Sequence, residues 1–115
     1  MKKDFNYLSG EDGTIAGFLA QGGHGCISVT ANVAPKLTSM LHYYWQKKNY
    51  KEFDKVNLRL ASLSKILFAE PNPTPTKYAL SLMGKCKADI REPLYELSPE
   101  TKKQVRKTIK DLNFI

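Results

Sequence analysis

Few side chains in this sequence have both the type and the setting for chemistry. The adjacent carboxylates Glu11 and Asp12 could act as general acid and base, but they stand where a loop enters a helix, which suits capping better. Lys77 could form an imine with a carbonyl substrate if its amine were held neutral. It follows Pro71-Asn72-Pro73-Thr74-Pro75 at the start of a helix, a surface or packing position. His24 and His42 lie in different kinds of element and neither has a partner at ligand spacing, so no metal is expected. Cys26 and Cys86 have no such spacing either, and they fit a reduced, cytoplasmic protein better than a disulfide scaffold. Gly22-Gly23-His24-Gly25 has the glycine density of a phosphate cradle, yet it precedes a strand and reads as a turn that needs positive φ. No serine, cysteine or lysine stands at a strand end beside a base, so the residues alone supply part of an active-site rim and no evident nucleophile.

The elements that would carry these residues are ordered as strand, helix, strand, helix. Gly25 to Val33 is a short, apolar, β-branched run left through Asn32, which predicts a strand buried on both faces, with Thr30, Ala31 and Asn32 following it at the end that would face an active site. Phe5-Asn6-Tyr7-Leu8 predicts an earlier strand. Between them, Ile15, Phe18 and Leu19 fall at helical spacing after Asp12. Afterwards Leu37, Met40, Leu41, Tyr44 and Trp45 repeat at helical spacing from Pro35 onward. This is the βαβ grammar of a parallel sheet. From Tyr50 the pattern turns wholly helical. Phe53, Val56, Leu60, Leu63 and Leu67 form a narrow seam, suited either to a bundle interior or to a partner helix. The Pro-rich stretch breaks the chain, and a helix runs from about Thr76 to Met83 and stops at Gly84. Residues 85–97 are irregular, and Ser98-Pro99-Glu100 starts a last helix with an N-cap, a proline and an acid in sequence.

The chain has 115 residues, a formal charge of +7 and a pI near 9.4. That length holds one domain with a real core but falls short of the roughly 250 residues of a complete (β/α)8 barrel. The expectation is an incomplete sheet, finished by another chain or belonging to something longer. The densest basic set is Lys102, Lys103, Arg106, Lys107 and Lys110, opposite Val105, Ile109 and Leu112 on one amphipathic helix. With no interleaved aromatic residues it reads as a solvated face, so no nucleic-acid partner is expected. No run approaches about 18 apolar residues, and Met1-Lys2-Lys3 leads into polar sequence, so neither a membrane span nor a signal peptide is expected.

Three stretches carry a family resemblance: Ser9-Gly10-Glu11-Asp12, then Gly22 to Pro35, then Phe68-Ala69-Glu70-Pro71-Asn72-Pro73-Thr74-Pro75-Thr76-Lys77. In this order and at these intervals they resemble the C-terminal portion of dihydrodipicolinate synthase (4-hydroxy-tetrahydrodipicolinate synthase), and the likeness continues through Arg91-Glu92-Pro93-Leu94. The resemblance implies a homotetrameric (β/α)8 TIM-barrel enzyme that condenses pyruvate with aspartate semialdehyde without a cofactor. It implies that residues 1–49 are the last two βα units of the barrel and residues 50–115 a C-terminal helical extension, predominantly helical by residue count. The Schiff-base lysine would lie on the sixth strand and the catalytic tyrosines and threonine earlier, so this chain would hold none of them. What carries over is the pyruvate-side rim: Ile27, whose main chain lines the pocket, and Gly10 of the Ser-Gly loop. Glu11 stands where the family usually has aspartate, Cys26 where it has an aliphatic residue, and Glu92 where an apolar residue precedes the proline.

The expected function is therefore that of a C-terminal part of a pyruvate-dependent aldolase-type lyase, inactive alone. Either it is one half of a split enzyme, completed by an N-terminal partner chain with the first six βα units, or it is a decayed remnant. The alternative is a non-catalytic helical interaction module that uses the Phe53 to Leu67 seam.

Overall fold

The computed structural model describes residues 4–115; the reading of Met1 to Lys3 as leaderless falls outside them. Two short parallel strands, β1 (Leu8–Ser9) and β2 (Gly25–Cys26), pair Leu8 with Gly25 and Ser9 with Cys26. The pairing continues on either side, since His24 N donates to Tyr7 O at 2.9 Å and Ile27 N to Ser9 O at 2.8 Å. A 3-10 turn (Asp12–Thr14) and α1 (Ile15–Ala20) make the crossover. Then come α2 (Thr30–Val33), α3 (Pro35–Gln46), α4 (Tyr50–Leu67), α5 (Thr74–Leu82) and α6 (Pro99–Asp111).

The predicted order holds, but both strands are shorter than expected. Of Phe5 to Leu8 only Leu8 is strand, and the run from Gly25 to Val33 is strand for two residues before α2 begins at Thr30. β-branched residues misled there: Ser28 Oγ accepts from Ala31 N at 3.0 Å, a capping contact that starts a helix in the middle of the apolar run. Burial on both faces is overturned too, for Ile27 is 74% exposed. Pro35 then separates α2 from α3 by holding Ala34 out of the helical region, at φ −128° and ψ 63°.

The remaining helices sit close to expectation. Asn49, expected to end a helix, also caps the next, its side chain accepting from Glu52 N. α5 starts at Thr74, two residues ahead of the expected Thr76, because Pro75 fits the first turn, where no amide partner is needed. Ser98 accepts from Thr101 N at 3.2 Å, the cap its sequence announced.

One cluster of buried side chains joins all the helices, including Ile15, Leu19, Val33, Leu37, Leu41, Leu63, Ala79, Val105 and Ile109. α3 lies along α4, α6 packs on α4 and α5, and α5 reaches α2. Every residue of the Phe53, Val56, Leu60, Leu63, Leu67 seam is buried in this core. The seam is thus a bundle interior, which removes the feature that motivated a partner-helix module. Arg59 Nη2 donates to Leu112 O at 3.1 Å and fixes the end of α6 to α4. Lys103, Arg106, Lys107 and Lys110 face solvent, and Lys107 pairs with Asp111 at 2.6 Å, as a solvated face would, whereas Lys102 of the same set is half-buried, paired with Glu96 and set over the Tyr78 ring. Among the described residues no helix is long and apolar enough to cross a membrane.

Candidate functional site

Parallel strands place the residues that follow them at one end of the sheet, where βα folds build their sites. Gly10 follows β1 and Ile27 follows β2 directly, and the Ile27 amide bonded to Ser9 O sets the two side by side. Side chains alternate along a strand, so Leu8, Gly25 and Ile27 share one face and Ser9 and Cys26 the other. The second face packs on the helices: Ser9 is buried, and Cys26 lies against the apolar core. The first face is open, with Leu8 53% and Ile27 74% exposed.

The turns after the strands are built by short polar side chains. Glu11 N donates to Ser9 Oγ at 3.0 Å, which folds the loop holding Gly10 back onto its strand. Glu11 caps the 3-10 turn, its Oε1 accepting from Gly13 N at 3.1 Å. Capping was expected of the carboxylate pair, but Asp12 does it elsewhere. Its Oδ2 accepts from Val29 N at 2.8 Å and Thr30 N at 3.2 Å, at the start of α2. Its Oδ1 accepts from Ser28 Oγ at 2.5 Å and Thr30 Oγ1 at 3.0 Å. Ser28 was not singled out by sequence, although two hydroxyls inside an apolar run are a cap signal.

The other candidates have structural roles. Gly22 has φ +98°, and the amides of Gly22 and Gly23 donate to Leu19 O and Phe18 O, closing α1, so neither is left for a phosphate. A Cβ at Gly23 would lie 2.2 Å from the Phe18 ring, so the chain also needs glycine there for space. His24 Nδ1 accepts from Tyr7 N at 2.9 Å and its ring stacks on Tyr7. Burial lowers the pKa of His42, which lines a small cavity of about 50 Å³ with Asp12, Cys26, Asn57 and Ser64. Among the described residues no group of three His, Cys, Asp or Glu could hold a metal ion. Lys77 sits on α5, its amide donating to Pro73 O within the helix, away from both strand ends. A hollow of about 930 Å³ lies between α5, α6 and residues 88–97 and draws no residue from the strands.

Both cysteines are free. Burial first, then the negative charge of Asp12, pushes the Cys26 thiol up to about 11, whereas Cys86 is exposed. Since thiolate is the nucleophile, iodoacetamide at about pH 8 is expected to alkylate Cys26 roughly tenfold more slowly than Cys86. Peptide mapping of a timed reaction reads this, and equal rates would contradict the packing of Cys26 against Asp12.

The model of the Dihydrodipicolinate synthetase family matches residues 1–112. The chain belongs to this family. The dihydrodipicolinate synthetase-type relatives include the 4-hydroxy-tetrahydrodipicolinate synthase of Bradyrhizobium diazoefficiens, 50% identical over 106 residues that make up 92% of this chain and 36% of that protein. The dihydrodipicolinate synthase of Thermotoga maritima superposes on 99% of this chain and 39% of its own, with a TM-score of 0.95 and 37% identity. That of Acinetobacter baumannii, solved with pyruvate, gives 0.90 over 96% of this chain and 38% of its own, again at 37% identity. This chain therefore spans well under half the length of the family members it matches, as their C-terminal portion.

Proposed function

We propose that this chain is the pyruvate-side rim and helical extension of a dihydrodipicolinate synthase, a lyase that joins pyruvate to aspartate semialdehyde through an imine. In this reading β1 and β2 are the seventh and eighth strands of a (β/α)8 barrel, residues 1–49 its last two βα units and residues 50–115 the extension. The observation that carries it is the open face bearing Leu8 and Ile27 on two parallel strands, with the other face closed by helices. A barrel needs one face of each strand turned inward, and here that face lacks only its neighbours. Gly10 and Ile27, adjacent at the carboxyl ends of the strands, line the pyruvate side of the pocket.

The imine needs a lysine that is neutral near pH 7 and close to the bound keto acid. The family places that lysine on the strand before β1, so this chain contributes substrate binding and an N-terminal chain with the first six βα units contributes the nucleophile. The free cysteines suit the reducing cytoplasm in which such an enzyme would work.

Complementation tests the reading. Mixed with the N-terminal remainder of the Bradyrhizobium diazoefficiens synthase, the chain is expected to restore condensation of pyruvate with aspartate semialdehyde, which neither part performs alone. Activity of this chain alone, or a stable complex of folded parts without activity, would contradict the assignment.

A further inference from the structure

The Asp12 carboxylate ties together the two turns on which the proposed rim rests. It stands two residues after Gly10, and hydrogen bonds reach it from Ser28, Val29 and Thr30, directly after Ile27, beside a longer one from the Cys26 thiol. The first amides of a helix have no partner inside it, and Val29 at the N-cap of α2 has no side-chain acceptor to give them. Asp12 supplies that acceptor from 17 and 18 residues away in sequence. Ser28 Oγ, bonded at once to Asp12 and to Ala31 N, carries the tie into the helix. Thr30 is 2% exposed, so its hydroxyl makes its bond to Asp12 inside the fold.

We infer that Asp12 is a positioning residue: it holds the backbone of Ile27 and Ser28 in register with Gly10 and so sets the affinity for the 2-oxo acid, without taking part in bond making. The inference rests on the pyruvate-rim reading. Its geometric half can be read in this chain alone.

The test compares Asp12→Ala with Asp12→Asn. Asparagine keeps one oxygen for the amides of Val29 and Thr30, and its NH₂ can donate to the Ser28 and Thr30 hydroxyls, which accept as well as donate. In the full chain, hydrogen exchange at Val29 and Thr30 is expected to quicken about tenfold in Asp12→Ala and to stay within about threefold of the parent in Asp12→Asn. In the mixture with the Bradyrhizobium diazoefficiens remainder, Asp12→Ala is expected to raise the KM for pyruvate about tenfold with kcat within about threefold, and Asp12→Asn to restore KM. If circular dichroism shows Asp12→Ala unfolded, Ser28→Ala, which removes one donor to Asp12, carries the same comparison at about threefold.

Unchanged exchange at Val29 and Thr30 overturns the inference. So does a fall in kcat at constant KM, which would put Asp12 in the chemistry, or an Asp12→Asn as impaired as Asp12→Ala, which would make charge the cause. An inactive parent mixture counts against the pyruvate-rim reading, while the exchange measurement still decides what Asp12 holds.

Discussion

Ile27→Asp is expected to leave the isolated chain folded and to abolish its complementation of an N-terminal remainder. Alone, Ile27 is 74% exposed, so a carboxylate there meets water and disturbs little. In a closed barrel the same position faces the interior, where an unpaired charge costs about 3–5 kcal/mol. That cost weakens association roughly 10²- to 10⁴-fold, at about 1.4 kcal/mol per factor of ten. Thermal unfolding of the variant alone and titration of the remainder against it read the two halves of the expectation. A variant that unfolds alone would show that the open face is already packed. Full complementation would show that the assembly is not barrel-like.

The second large effect concerns the core rather than the site. Leu63 lies in the C-terminal half of α4 with no exposed surface, in the core cluster that α4 shares with α3 and α6. Leu63→Ala is expected to cost about 2–5 kcal/mol, through lost transfer energy and the cavity left behind. Against a total stability of about 5–15 kcal/mol for an ordinary domain, that is a large share, and a chain with an open sheet face has less to spare. Leu58 on the same helix is 74% exposed, and Leu58→Ala should stay within about 0.5 kcal/mol. Denaturant midpoints compare the two directly. Equal midpoints would mean that α4 does not organise the core.

The helical half of this structure was legible because its signals are local and agree with one another. The seam from Phe53 to Leu67 has one period over its whole length, Ser98-Pro99 announces a cap, and Gly84 ends a helix with φ +71°. The βα half was legible in order but not in extent. A strand exists only as far as its partner does, and β1 and β2 have one neighbour each, so their length follows from pairing that no local pattern records. Asp12 was misread for a related reason. Its neighbours in sequence suggested a local cap, while its donors lie in the next βα turn and become visible only once the strands are paired. Ile27 was named as part of the rim by family resemblance alone, through its main chain, since no local pattern in the sequence marks a backbone contact.

The central claim is that this chain holds a binding rim without the nucleophile, and trapping of the imine tests it most directly. An amine that reacts with pyruvate at pH 7 must have a pKa well below the usual value of about 10.4, through burial or neighbouring positive charge. Lys77 is in the first turn of α5, outside the strands and away from the rim that Gly10 and Ile27 form in the proposed reading. Pyruvate with borohydride is therefore expected to leave this chain unlabelled when alone, and in the complemented mixture to label only the N-terminal remainder. A reduced pyruvate adduct mapped by mass spectrometry to Lys77, or to any other lysine of this chain, would contradict it.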